Sequence, residues 1–197
     1  MMKQNATLRL FIAIELPEMI RKPLSDSLKD SVIIKKKKAR LTSKENLHIT
    51  LKFLGDVQQD KRGDLQAAIA NSVGGIGPFE LKIHSGGVFP TIKKPRILWA
   101  GFDISKELSV LVNNLENEFE KIGFSKDLKP FQPHITLARI PDYVSTMIPV
   151  EKDEIIKNLE KIDLPPFTVD KISLMKSILL PGKPEYQVIS TQNLKVC

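Results

Sequence analysis

The sequence predicts an α+β fold in a single domain, residues 1–197, laid out as two copies of one strand-helix-strand framework. Three observations predict it. Segments with strand patterning alternate with segments of helical patterning along the chain. A His-x-Thr triplet occupies the matched strand of each copy, as His48-Ile49-Thr50 and His134-Ile135-Thr136. The spacings also agree: Phe11 and Leu98 precede the two histidines equally to within one residue, and Phe79 and Phe167 follow them equally to within two. The copies run approximately over 8–88 and 96–179, with a closing strand at 185–191.

The elements follow in order. Leu8 to Leu16 crowds Leu8, Leu10, Phe11, Ile12 and Ile14 into strand length and reads as a first buried strand. It is too short to span a bilayer, is interrupted by Glu15 and leads into Pro17, so neither a membrane span nor an export signal is expected. Pro17 to Ile33 reads as a helix with Met19, Ile20, Leu24 and Leu28 at helical spacing. A basic loop, Lys35 to Arg40, leads to the strand Leu47 to Leu54, which Gly55 ends. A helix from Gln59 to Val73 is closed by Gly74 and Gly75, and Phe79 to Val88 alternates as a strand.

Phe89 to Pro95 has the make-up of a hairpin loop. The pattern then restarts with a strand at Ile97 to Phe102. Ser105 to Ile122 is an amphipathic helix with Leu108, Leu111, Val112, Leu115 and Phe119 on one stripe. Pro133 to Ile140 is the next strand, followed by a helix near Val150 to Ile162, a long strand from Phe167 to Leu179 and a closing strand at Tyr186 to Ser190.

Composition narrows the class without naming a function. At 197 residues the chain can bury roughly 70% of its unfolded surface. The 42% hydrophobic and 27% charged content belong to an ordinary globular protein. Thirty Lys and Arg against 23 Asp and Glu give a formal charge of +7, which favours polyanionic partners. The single cysteine, Cys197, rules out an intrachain disulfide and a cysteine-rich zinc site, and fits a reducing cytoplasm.

Two of the three histidines are followed by threonine at +2, a coincidence of about one in twenty-five for any one histidine. Two hits at equivalent repeat positions are a signal. Residues i and i+2 of a strand share a face, so each motif offers an imidazole beside a hydroxyl while Ile49, Leu51, Ile135 and Leu137 face the other way. Two such pairs facing each other suit in-line attack on a phosphodiester. One neutral imidazole takes a proton from water, and the opposite imidazolium protonates the departing oxygen. An unperturbed pKa of about 6.5 lets both states coexist near neutrality. Thr50 and Thr136 would donate hydrogen bonds to non-bridging phosphate oxygens, and no metal or other cofactor is required.

These motifs resemble those of the 2H phosphoesterases, most closely the RNA 2′,3′-cyclic phosphodiesterases also called 2′-5′ RNA ligases. The resemblance runs through RLFIAIELP at Arg9, ENLHITLKFLG at Glu45, PRILWAGF at Pro95, KPFQPHITLAR at Lys129 and the segment from Ser177 to Tyr186. It implies a bilobal fold, two pseudo-symmetric lobes of largely antiparallel sheet with helices packed outside and the active-site cleft between them. It also implies hydrolysis of RNA ends with a cyclic phosphate, tRNA fragments among them, to 2′-phosphomonoesters, by a monomer, with reversible ATP-independent 2′-5′ ligation. Carried over, it makes His48 the proton donor and His134 the proton acceptor. The near-symmetry of the sequence gives no independent way to decide that order.

Phe53 and Arg139 each follow a motif histidine by five positions and are proposed as substrate contacts, by stacking and by phosphate neutralisation. Strand parity argues otherwise, because it places both opposite the histidine face. Lys35 to Lys38 with Arg40 reads as a solvated basic loop that an RNA backbone could approach, and His84 as a structural strand residue. Trp99 and Phe102 read as core.

Three alternatives remain. The same pair could serve a phosphodiesterase for 2′-5′ oligonucleotides or for a cyclic phosphate of ADP-ribose. A non-catalytic RNA-binding module would need no matched histidines, since Lys and Arg hold phosphate without titrating near neutrality. A metal-dependent phosphodiesterase is the weakest, for want of a close ligand cluster.

Overall fold

The structure is a computed structural model that describes residues 7–29, 32–35, 39–145, 164–180 and 183–195. In chain order the elements are β1 (Thr7–Glu15), α1 (Glu18–Ser27), α2 (Val32–Lys35), β2 (Arg40–Leu41), β3 (His48–Gln58), α3 (Arg62–Ser72), β4 (Phe79–Leu81) and β5 (Ile83–Thr91). Then come β6 (Lys94–Phe102), α4 (Lys106–Lys121), β7 (His134–Arg139), α5 (Asp142–Ser145), β8 (Phe167–Val169), β9 (Lys171–Leu180) and β10 (Lys183–Asn193). The pairings between these strands are antiparallel.

The larger sheet has eight strands in the order β10-β9-β1-β3-β7-β6-β5, with β2 added on β7, while β4 and β8 form a second, two-stranded sheet. When β1 is matched with β6, β3 with β7 and β5 with β9, the order β9-β1-β3-β7-β6-β5 reads the same from either end. The seam between the halves is one residue pair, Ile49 opposite Ile135. Each half-sheet takes one strand from the other sequence copy, since β9 pairs with β1 and β5 pairs with β6. The lobes in space therefore mix the copies in sequence. This exchange covers a sheet edge in each half and ties the halves together.

Burial follows the strand pattern on one face. Leu10, Ile12 and Ile14 of β1, Ile49 and Leu51 of β3, Leu98 and Ala100 of β6, and Ile135 and Leu137 of β7 share one core with α4. The predicted α4 stripe is buried in full, Leu108, Leu111, Val112, Leu115 and Phe119, each such side chain contributing about 1.5–3 kcal/mol. Ser105 starts that helix by accepting the Leu108 N–H at 3.1 Å, and Gly123 closes it at a φ of 93°. The opposite sheet face buries only a small cluster, Phe11, Ala13 and Met175, with Tyr186 packed on it. That open face is where a site can form.

The fold differs from expectation in five places. α1 stops at Ser27, because the Ser25-Asp26-Ser27 run competes for backbone hydrogen bonds, as Ser27 Oγ does by donating to the Leu24 carbonyl at 2.7 Å. Gly55 does not end its strand; it sits in β3 at a φ of 71° as part of a bulge. The strands predicted over Phe79–Val88 and Phe167–Leu179 each break once, at Lys82 and Asp170, where the chain passes from the small sheet to the large one. The predicted hairpin loop is mostly strand, leaving Ile92 and Lys93 as its turn. The helix expected near Val150 to Ile162 lies outside the described residues. Among the described residues no helix is long and apolar enough to cross a membrane.

Candidate active site

With Ile49 facing Ile135 in an antiparallel pair, the neighbouring positions set His48 beside Thr136 and Thr50 beside His134. Both isoleucines are fully buried on the core side, so the two histidines and two threonines project together from the open face, each half-buried. The predicted polar pairs are thus grouped around the seam. They are close enough that the charge of His134 acts on His48.

Each ring is held in the same way. His48 Nδ1 donates to the Asn46 carbonyl at 2.7 Å, and His134 Nδ1 donates to the Gln132 carbonyl at 2.9 Å. A carbonyl can only accept, so Nδ1 keeps its proton in the neutral ring and Nε2 carries the free lone pair. His48 Nε2 lies 3.0 Å from Thr50 Oγ1. Burial pushes His48 down to about 4, against the opposing bond to Asn46, and the charges of His134 and Arg139 lower it further. Burial and Arg139 lower His134 in the same direction. Both rings are therefore neutral near pH 7 when the site is empty.

Strand parity fails for Phe53 and Arg139, and the reason is the same in both halves. Thr50 pairs with Ala13 and Lys52 with Ile12, leaving Leu51 as an extra residue in β3. Thr136 pairs with Trp99 and Ala138 with Leu98, leaving Leu137 extra in β7. Each bulge stands three residues after its histidine and reverses the alternation beyond it. Lys52 and Ala138 consequently turn into the core, and Phe53 and Arg139 come round to the open face. Phe53 is 70% exposed with its ring 6.1 Å from Phe11, and Arg139 is exposed and acts electrostatically on both histidines. Inside, the Lys52 ammonium is held by Glu116 at 2.7 Å and the Ser125 carbonyl at 3.0 Å.

Several neighbours were missed in the sequence. Phe11 lies 4.9 Å from His48, and Tyr186 meets His48 edge-on at 5.1 Å, so these two rings supply much of its desolvation. Asn46 is buried, donates its side-chain N–H to the Pro184 carbonyl at 2.7 Å and offers its own carbonyl to His48, coupling the histidine to the strand that carries Tyr186. On the other side, Phe89 meets His134 edge-on at 5.1 Å and stacks on Trp99 at 5.1 Å. Trp99, expected in the core, is instead half-buried on the open face beside Thr136. Exposed-face aromatics of this kind are invisible to a pattern that equates apolar with interior. Phe102 is core as expected.

His84 lies on β5 with Nε2 3.0 Å from Asp103 Oδ2, away from the paired motifs in sequence and on an exposed position. Of the basic run, Lys36 to Lys38 lie outside the described residues, as does Cys197; Arg40 pairs with Arg139 across β2 and β7. Among the described residues no three His, Cys, Asp or Glu side chains are grouped to hold a metal ion.

The sequence and the fold both have known relatives. The profile of the LigT-like phosphoesterases matches residues 14–99 and 103–186. An RNA 2′,3′-cyclic phosphodiesterase of Methanothermobacter thermautotrophicus is 32% identical over 181 residues, covering 90% of this chain and 94% of that protein. A crystal structure of a Thermus thermophilus protein superposes with a TM-score of 0.76 at 26% identity, covering 95% of this chain and 98% of the other. E. coli LigT complexed with 3′-AMP superposes with a TM-score of 0.71 at 25% identity, covering 96% and 98%.

Proposed function

The chain belongs to the LigT-like phosphoesterases of the 2H superfamily, and on that premise we propose that it hydrolyses RNA 2′,3′-cyclic phosphate ends to 2′-phosphomonoesters with His48 and His134 as acid and base. The observation that carries the reading is the grouping of two Nδ1-anchored imidazoles and two threonine hydroxyls on one open sheet face. The activity named for the Methanothermobacter relative and the 3′-AMP bound by E. coli LigT support a ribonucleotide substrate.

In this mechanism the anionic phosphate settles among the four side chains and raises both histidines, so a site that is neutral when empty gains a proton on loading. His48 carries that proton. Its Nε2, once protonated, no longer accepts from Thr50, which frees the threonine hydrogen for a non-bridging oxygen and leaves Nε2–H to face O3′. Neutral His134 takes a proton from water through Nε2, the water oxygen attacks phosphorus, the P–O3′ bond breaks, and His48 protonates O3′. Thr136 binds the second non-bridging oxygen. Phe53 offers a face for the base, and Arg139 neutralises the phosphate. A 5′-hydroxyl in place of water gives 2′-5′ ligation without ATP, because the ring-opening conserves the bond energy.

The chain is read as one domain of two duplicated halves, 8–88 and 96–179. Both histidines come from one chain, as a monomer requires. The lone cysteine suits the cytoplasm.

The test is turnover of an RNA oligonucleotide ending in a 2′,3′-cyclic phosphate. His48→Ala and His134→Ala should each lose about 10³-fold in kcat. A variant that keeps wild-type turnover would overturn the pair, and binding of the oligonucleotide without turnover by the wild type would favour an RNA-binding module.

A further inference from the structure

The two histidines have separate aromatic walls. His48 has Phe11, Tyr186 and Phe53 on the β1 side. On the β6 side, His134 has Phe89, which lies on Trp99 with the rings 23° from parallel. One nucleoside bearing a cyclic phosphate has one base, enough for one wall. A second wall has no base to stack when the substrate is a single cyclic nucleotide.

That second wall is built with care. Trp99 lies flat across the sheet because its two neighbours have no side chain: a Cβ on Gly87 or on Gly101 would come within 2.7 Å of the indole ring. Gly87 faces Trp99 directly on β5. Phe89, half-buried, rests on this raised floor and reaches His134. At the positions matched by the strand order, the β1 half has Ala13 opposite Ser173 where the β6 half has Trp99 opposite Gly87, and Met175 where it has Phe89. The raised aromatic floor belongs to one side only. Arg139 follows the bulge on that same side.

We propose that Phe89, backed by Trp99, is the docking shelf for a second nucleoside, the one whose 5′-oxygen enters or leaves phosphorus opposite O3′. The proposal rests on the reading above and assigns the residues that would hold the second nucleoside of a 2′-5′ linkage. In the cleaving direction the 3′-hydroxyl attacks phosphorus and the P–O5′ bond breaks. His48 takes the 3′-hydroxyl proton and His134 gives one to O5′, leaving a 2′,3′-cyclic phosphate and a 5′-hydroxyl nucleoside. Ligation is the same step reversed, with every proton accounted for and no further reactant.

The test compares two substrates, 2′-5′-linked ApA and 2′,3′-cyclic AMP, across the wild type, Phe89→Ala, Phe89→Leu and Tyr186→Ala. Loss of a stacking face costs about tenfold or more per base. Phe89→Ala should therefore lower kcat/KM for the dinucleotide at least about tenfold more than for cyclic AMP. Phe89→Leu, which keeps apolar volume without a π face, should shift the ratio the same way, and Tyr186→Ala should lower both substrates. Trp99 is the single tryptophan, so its emission should change saturably on titration with adenosine. Equal losses on both substrates in the Phe89 variants would make Phe89 a mere support for His134 and overturn the shelf. So would a wild type that opens cyclic AMP but leaves the dinucleotide intact. A wild type that opens no cyclic phosphate at all would instead overturn the underlying reading.

Discussion

On either side of the seam, the half containing β1 and the half containing β6 share their strand plan, their His-x-Thr strand and a bulge three residues after the histidine. Beyond the bulge they part. The β1 half buries Lys52 and exposes Phe53; the β6 half buries Ala138 and exposes Arg139. The floor is Ala13 and Ser173 in one and Trp99 and Gly87 in the other. What is shared is what the proposed acid-base chemistry at one phosphorus would need from both sides. What differs is what would distinguish the groups attached to that phosphorus.

The largest break in this comparison comes at the shared residues. If His48 and His134 act as one unit, the double alanine variant should fall only severalfold below the worse single variant, each single being about 10³-fold impaired. Steady-state kinetics on a cyclic-phosphate oligonucleotide measures it.

Next in size is Lys52, the cation buried in the β1 half where the β6 half has Ala138. Lys52→Ala leaves the Glu116 carboxylate without its partner and should cost about 3 kcal/mol in urea unfolding, the scale for breaking a buried pair.

The floor is the third point. Gly87→Ala forces a Cβ against the Trp99 ring and should cost about 1–3 kcal/mol. Ser173→Ala, at the matched position, removes only the 2.6 Å hydrogen bond to Glu15 and should cost about 1 kcal/mol.

The smallest effect is electrostatic. Arg139 lowers both histidines, so Arg139→Gln should raise both and move the limbs of the pH-rate profile to higher pH. Stability carries the same sign rule. Because His48 binds its proton more weakly folded than unfolded, the unfolded chain holds more protons between about pH 4 and 6.5, and stability should fall as pH drops through that window.

Much of this was legible in the sequence. The α4 stripe and the alternation of Leu10, Ile12 and Ile14 follow directly from period, and the paired His-x-Thr triplets marked the face that stays open. The bulges were not legible, because an extra strand residue such as Leu51 or Leu137 is apolar like its neighbours and shows only in the pairing register. Parity arguments for Phe53 and Arg139 failed for that reason alone. Tyr186 and Phe89 are not marked as site residues by the sequence, and Trp99 reads there as core, because all three reach the site from strands distant in sequence, β10, β5 and β6. Nor could sequence spacing show that β5 and β9 exchange between halves, since topology is set by edge pairing rather than by local pattern.

The most direct test of the histidine pair is the pH dependence of kcat/KM for a 2′,3′-cyclic phosphate, which reports the ionisations of the empty site. Two histidines lowered below 6.5, one needed protonated and the other neutral, predict a bell with its maximum on the acid side of 6.5. Phosphate bound as proposed would raise both, so the bell for kcat itself should lie at higher pH. A kcat/KM that climbs without an upper limb beyond pH 8 would contradict the account.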